Sequence, residues 1–311
     1  MTRRDISIEV KLTNRCNLNC SHCMNDDGPN TQGVIDGKTF NGRLEEWAEL
    51  RDSSEFMVRE VRMTGGEPLL YPDSVNEIAR CCTRLNIKSG INTNGVLLDR
   101  PLLLALKKSG LTVMKISLDP LNDPAAIPRS KGLLFRDKIL RSVENACREG
   151  FKVILRQTLS RYTQDEVIHN YRRGQTLGVH EFQVKPLIKA GRGAFSDAFL
   201  SQDGIVSLLQ KLELASSGQK PGVEVLCWPP RLLSSLSFKI CGSMNKIYIF
   251  PSLKVGLCNF ISRAIPYGDL SSETLETVLR QRPGAVWSNR EGYCLLEGCP
   301  NKIYFEDRTG P

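Results

Sequence analysis

Long apolar runs are missing from this chain. No stretch approaches the roughly 18 uninterrupted apolar residues that a membrane-spanning helix needs, and the opening MTRRDISIEV carries no apolar segment of the kind found in a secretion signal. Long runs of one charge are missing too. The net charge is +8, with 42 Lys and Arg against 34 Asp and Glu, yet the basic residues are scattered and cluster only as pairs such as Arg3-Arg4 and Lys107-Lys108. That distribution offers no stripe for a nucleic-acid backbone and suits solubility or a mildly anionic ligand. No internal repeat or low-complexity tract appears. The expectation is a cytoplasmic protein with neither a membrane nor a nucleic acid as partner.

Cysteine is plentiful instead. Eleven cysteines, an odd number, in a chain without a secretion signal fit metal ligands better than a disulfide framework. With 41% hydrophobic residues over 311 positions, there is enough apolar content for one large domain, alone or with an appendage.

From residue 6 to about 187, β-rich runs alternate with amphipathic stretches. Strands are expected at 6–12, 58–63, 87–92, 112–118, 151–159 and 179–187. Between them Leu44, Trp47, Ala48 and Leu50 recur at helical spacing, as do Val75, Ile78, Ala79 and Cys82, and Ile139, Leu140, Val143, Ala146 and Cys147. Pro101 and Gly110 bracket a further helix. Strand and helix repeated six times predict an α/β fold with a parallel sheet and right-handed crossovers, open or curled into a partial barrel. In such folds the loops after the strands carry the chemistry. From about 199 a helix (201–215), a stretch holding Cys227, a hairpin (245–259), a short helix (271–281) and a loop-rich end are expected. The division is therefore a core over 1–198 and a small Cys-rich C-terminal extension over 199–311.

The loop after the first strand, KLTNRCNLNCSHCMND, holds Cys16, Cys20 and Cys23. Three thiolates at that spacing suit one side of an iron–sulfur cube, with one iron left without a protein ligand. A structural zinc with His22 as fourth ligand is the competing reading.

This stretch resembles the radical S-adenosylmethionine (SAM) enzymes, whose signature is Cys-x3-Cys-x2-Cys in the loop after the first barrel strand. Cys16, Cys20 and Cys23 match it residue for residue, and His22 occupies a position that in the family lies near the adenine. A second match, MTGGEPLLYP at 63–72, supplies Gly65, Gly66, Glu67 and Pro68. The resemblance assigns this loop to the SAM amino group, and the glycines allow a backbone to come close to a ligand. Strand ends at Thr93-Asn94-Gly95 and at ISLD (116–119) make Asn94, Ser117 and Asp119 candidates for the SAM ribose and carboxylate. Arg129 and Arg156 are candidate cations for that carboxylate. The resemblance covers roughly residues 6 to 299 and implies a partial (β/α)6 TIM-like barrel.

Cys241, Cys258, Cys294 and Cys299 form a second group, the first two at the ends of the expected hairpin. Four cysteines are also a common zinc set. The arrangement resembles the twitch extension of radical SAM enzymes, implying an auxiliary 4Fe-4S cluster. It departs from that pattern by carrying Pro251-Ser252-Leu253-Lys254 at the turn, where Gly is usual, and x4 rather than x2 between the last pair. The longer two-cluster SPASM form would need cysteines after Cys299, and none follows. Cys81, Cys82 and Cys147 read as small core residues.

The resemblance implies a 4Fe-4S cluster with an open iron, SAM as cosubstrate and a flavodoxin or ferredoxin-type electron donor. It implies reductive cleavage of SAM to a 5′-deoxyadenosyl radical that abstracts a hydrogen from the substrate. The expected activity is an oxidoreductase acting on a small polar metabolite, such as a sugar or nucleoside, in natural-product biosynthesis. A peptide maturase and a non-catalytic zinc-stabilised module are the alternatives. The molybdenum-cofactor cyclases share the layout, but they end in Gly-Gly where this chain ends Arg308-Thr309-Gly310-Pro311, which sets them aside. Acid–base candidates are Glu181 and Lys185 on the sixth strand, and Cys227 as a hydrogen donor or substitute ligand.

Overall fold

The structure is a computed structural model that describes residues 3–25, 30, 32–118, 131–187, 190–195, 197–225, 239–240, 246–256 and 266–281. Asp119, Arg129, Cys227, Cys241, Cys258, Cys294 and Cys299 lie outside the described residues.

Period-two alternation builds the sheet. In β1 (Arg4–Thr13), Ile6, Ile8, Val10 and Leu12 are all but fully buried. Successive side chains of a strand point to opposite faces, so Ser7, Glu9 and Lys11 face the other way, into the concave interior. The same pattern repeats in β2 (Phe56–Gly65), β3 (Lys88–Thr93), β4 (Val113–Ser117), β5 (Lys152–Leu159) and β6 (Glu181–Pro186). Neighbouring strands from β1 to β6 pair in parallel and in sequence order.

The helices cover the apolar face. In α1 (Gly37–Leu50), Asp36 caps the start by accepting from the Thr39 N–H at 3.0 Å, and Phe40, Leu44 and Trp47 are buried. In α2 (Pro72–Arg84), Val75, Ile78, Ala79 and Cys82 form the inner stripe. Asp99 caps α3 (Arg100–Lys108) through the Leu102 N–H at 2.9 Å, and Gly110 ends that turn at φ +91°. Ile139, Val143 and Ala146 of α4 (Lys131–Arg148) and Val167 and Tyr171 of α5 (Val167–Thr176) complete the layer. Of the stripes predicted from spacing, Leu44, Trp47, Val75, Ile78, Ala79, Cys82, Ile139, Val143 and Ala146 are buried, Ala48, Leu140 and Cys147 are partly buried against them, and Leu50, which the stripe included, is exposed at the end of α1.

The alternation continues past residue 199. Helix α6 (Gln202–Ser216) leads to β7 (Gly222–Val225), parallel to β6, and β8 (Lys239–Ile240) pairs in parallel with β7. At the opposite edge β9 (Lys246–Ile249) lies parallel to β1, and β10 (Lys254–Gly256) folds back on it. The short β11 (Gly268–Asp269) closes that edge, and α7 (Leu275–Gln281) packs beside α1. Strands from the C-terminal third thus join both edges of one eleven-stranded sheet. The sequence pattern missed β7 and β8 because two to four residues are too few to show alternation. In the β9–β10 turn, Leu253 takes the left-handed conformation, φ +62°, that the expected glycine would supply. Such a conformation costs a non-glycine residue about 1 kcal/mol, and bonds from the Leu253 N–H to the Phe250 carbonyl (2.8 Å) and from the Phe250 N–H to the Lys254 carbonyl (2.9 Å) offset it.

Candidate active site

Three loops interlock at the C-terminal ends of β1, β2 and β3. The cysteine loop leaves β1 at Thr13, whose hydroxyl donates to the Gly33 carbonyl at 2.9 Å and accepts from the Arg15 N–H at 3.0 Å. The Gly-Gly-Glu-Pro loop then docks on it: the Gly66 N–H donates to the Thr13 carbonyl (2.8 Å) and the Glu67 N–H to the Arg15 carbonyl (2.9 Å). A Cβ on Gly65 would sit 2.5 Å from the Thr13 oxygen, and one on Gly66 would sit 2.3 Å from the Arg15 oxygen. The glycines therefore admit the chain's own cysteine loop, a role the sequence did not disclose.

Glu67 is fully buried and turns back into the protein. Its carboxylate accepts from the Leu69 N–H (3.0 Å), the Thr93 hydroxyl (2.8 Å) and the Asn94 N–H (2.7 Å), which locks the second loop to the third. Asn94 completes the mesh. Its side-chain amide donates to the Asn17 side-chain oxygen Oδ1 at 2.8 Å and points at the Cys16 sulfur at 3.9 Å, while its own side-chain oxygen accepts from the Val96 N–H at 3.0 Å.

A fourth segment presses on the cysteine loop from β6. Gly191 adopts φ +54°, and a Cβ there would lie 2.5 Å from the Cys23 carbonyl oxygen. Arg192 donates through Nε to the Cys20 carbonyl at 2.9 Å, and Lys185 donates to the Met24 sulfur at 3.0 Å. Sequence inspection missed Gly191 and Arg192, along with Asn17 and Thr13. The available signal was Gly191-Arg192-Gly193 directly after a strand, a glycine-flanked cation where loops carry chemistry.

Of the predicted residues, Cys16, Cys20, Cys23, His22, Gly65, Gly66, Glu67, Pro68 and Asn94 fall in these interlocked loops. Ser117, the last residue of β4, pairs in register with Arg156 of β5 on the same lumen wall. Lys185 lies near the C-terminal end of β6, beside the cysteine loop. Glu181 does not join them: it is the first residue of β6, at the other end of the strand, with Lys152 at 3.7 Å. Of these two acid–base candidates, only Lys185 lies beside the cysteine loop.

The donor chemistry fits an iron–sulfur cube. None of Cys16, Cys20 and Cys23 is in a disulfide, all three are half-buried, and the Leu18 N–H points at the Cys16 sulfur at 3.4 Å, a contact that steadies a thiolate. Among the described residues no three His, Cys, Asp or Glu side chains converge on a single-ion site. A cube makes no such demand, because each thiolate holds its own iron. Elsewhere, burial pushes the thiols of Cys81 and Cys147 up to about 11 and that of Cys82 to about 12. Cys81 and Cys82 are core residues, as read from the sequence, while Cys147 is half-buried against the core.

Comparison with known proteins gives the same picture. Residues 10–172, more than half of the chain, match the family model of the Radical SAM superfamily. GTP 3′,8-cyclase of Synechocystis is 29% identical over 218 residues, covering 68% of this chain and 64% of the cyclase. PqqA peptide cyclase of Gluconobacter oxydans is 36% identical over 122 residues, 39% of this chain and 32% of that protein. The chain thus spans less than two thirds of the length of these relatives. Molybdenum cofactor biosynthesis protein 1 of Drosophila melanogaster is 25% identical over 276 residues, 83% of this chain and 47% of that protein. Among solved structures, Streptococcus suis SuiB bound to precursor peptide SuiA shares the fold, with TM-score 0.70 at 15% identity over 94% of this chain and 68% of SuiB. The chain belongs to the radical SAM superfamily, and with that membership come a 4Fe-4S cluster and S-adenosylmethionine.

Proposed function

We propose that the protein cleaves SAM reductively and uses the 5′-deoxyadenosyl radical to abstract a hydrogen from a small polar metabolite, a sugar or nucleoside, in natural-product biosynthesis. The observation that carries this reading is the docking of the Gly-Gly-Glu-Pro loop onto the three-cysteine loop, which fixes three thiols at the mouth of a polar lumen. When bound at Cys16, Cys20 and Cys23, the cluster supplies a low-potential electron and an open coordination position for the cosubstrate. The chain's own residues do the positioning. Asn94 holds the cysteine loop, Ser117 and Arg156 offer a hydroxyl and a cation on one wall for the SAM carboxylate, and His22 stands in the cysteine loop for the adenine. Asp119 and Arg129 belong to the same proposal.

The nucleotide named in the GTP 3′,8-cyclases supports a small-molecule substrate. The match to PqqA peptide cyclase favours a second reading, a peptide maturase. In either case we assign Cys241, Cys258, Cys294 and Cys299 to a twitch-like auxiliary 4Fe-4S cluster over 199–311. Such a cluster would accept the electron left on the substrate and make the reaction a net oxidation.

Anaerobic reconstitution followed by metal analysis tests the proposal. About eight irons with matching sulfide per chain are expected, together with slow release of 5′-deoxyadenosine under dithionite. Zinc in place of iron would leave the binding-module reading standing. SAM cleavage that survives Cys20→Ala would overturn the assignment of the loop.

A further inference from the structure

Lys115 stands on β4 one inward position below Ser117, pairing laterally with Asn92 of β3 and Ile154 of β5. It is 3% exposed and makes no hydrogen bond or salt bridge among the described residues. Charged groups face it from five other strands: Glu9 of β1, Arg62 of β2, Arg156 of β5, Glu181 of β6 and Lys246 of β9. Below it lies a cavity of about 190 Å³, lined by Glu9, Arg62, Lys115, Lys152, Glu181 and Glu224 among others. Lys152 and Glu181 begin their strands, and the Lys152 side chain is 55% exposed, so the cavity reaches solvent on the face opposite the cysteine loop. Buried Gln183 spans one wall, donating to Glu181 at 2.7 Å and to Glu224.

Burial, then the Arg156 and Arg62 guanidiniums, with Lys246 adding to them, hold the Lys115 amine well below the ordinary lysine range, and Glu9 opposes them. Lysines poised in this way act as bases near neutral pH. We propose that Lys115 accepts the proton of the substrate's reacting O–H or N–H and releases it into the cavity beneath. The nitrogen lone pair forms the new N–H bond, and the electrons of the broken bond stay on the substrate oxygen or nitrogen. The ammonium then passes its proton to cavity water between Glu9 and Glu181 and on to solvent, which restores the amine.

This inference rests on the proposed function for the position of the substrate above Ser117, whereas the state of the amine can be measured on its own. The full chain, labelled with 13C and 15N at the lysine ε positions, is titrated by NMR. One signal, absent from Lys115→Met or, should that variant not fold, from Lys115→Gln, is expected to stay neutral to a clearly lower pH than the rest. Arg156→Gln should move its midpoint up. Formaldehyde with cyanoborohydride at pH 7 should methylate Lys115 about tenfold faster than the average surface lysine, because only a neutral amine with access to the chamber reacts. Titration alongside the surface lysines, an unmoved midpoint in Arg156→Gln, or a low-titrating amine that formaldehyde cannot reach would each overturn the proposal. A reconstituted protein without iron or 5′-deoxyadenosine would instead sink the function reading and leave these titrations legible.

Discussion

The two ends of the barrel interior are built from different chemistry. At the C-terminal ends of the strands, Thr13, Asn17, Asn94 and the peptide groups of Gly66 and Glu67 hold the loops together mainly with close-range hydrogen bonds between neutral groups; the carboxylate of Glu67 is tied to three donors, and Arg192 and Lys185 each donate to one atom of the cysteine loop. At the other end Glu9, Glu60, Arg62, Lys115, Lys152, Glu181, Glu224 and Lys246 surround a cavity, four carboxyl groups and four basic groups. Neutral dipoles fix position without imposing a large field. Opposed charges in a poorly screened space impose a field and shift each other's protonation. The upper end is therefore suited to holding a cofactor in place, and the lower end to handling protons.

The largest effect is expected from breaking the upper mesh. Gly66→Ala drives a Cβ to 2.3 Å from the Arg15 carbonyl oxygen, where only backbone movement relieves the contact. Overpacking of this kind costs about 3 kcal/mol, and both the thermal midpoint and the iron retained after reconstitution should fall. Glu67→Gln comes next. It keeps the shape but weakens three charge-assisted bonds and turns amide hydrogens toward donors, at a cost of about 2 kcal/mol. Denaturant unfolding should show that loss, whereas an unchanged midpoint would mean that the carboxylate is not what joins the loops.

The smallest effect sharpens the contrast from below. The folded Lys115 amine binds its proton more weakly than the unfolded one, so between the lowered folded value and the unfolded value of about 10.4 the unfolded state carries more protons. Stability then rises with pH through that window, and the gain is lost again as pH falls. Lys115→Met removes this contribution. The variant should be more stable at pH 7 and show a shallower rise toward pH 10 in urea titrations. An equal slope in both proteins would place the proton linkage elsewhere.

The sequence by itself determined the element order through β6, because alternation in β1 and the stripe Phe40, Leu44, Trp47 are local patterns with fixed periods. It also marked the cysteine loop, since ligand spacing within eight residues is a covalent fact. The family resemblance carried the Gly-Gly-Glu-Pro loop to its place after β2. Other features needed the tertiary structure. That Gly65 and Gly66 make room for Thr13 and Arg15, that Glu67 faces inward, and that Gly191 and Arg192 rest on the cysteine loop are contacts between segments up to 172 residues apart. The separation of Lys185 from Glu181, four residues apart on one strand, was equally hidden. Both face the lumen by parity, and only the barrel decides which end meets the cysteine loop and which meets the cavity. Lys115 looks like any other lysine in the sequence, and its environment comes from five strands brought together by folding.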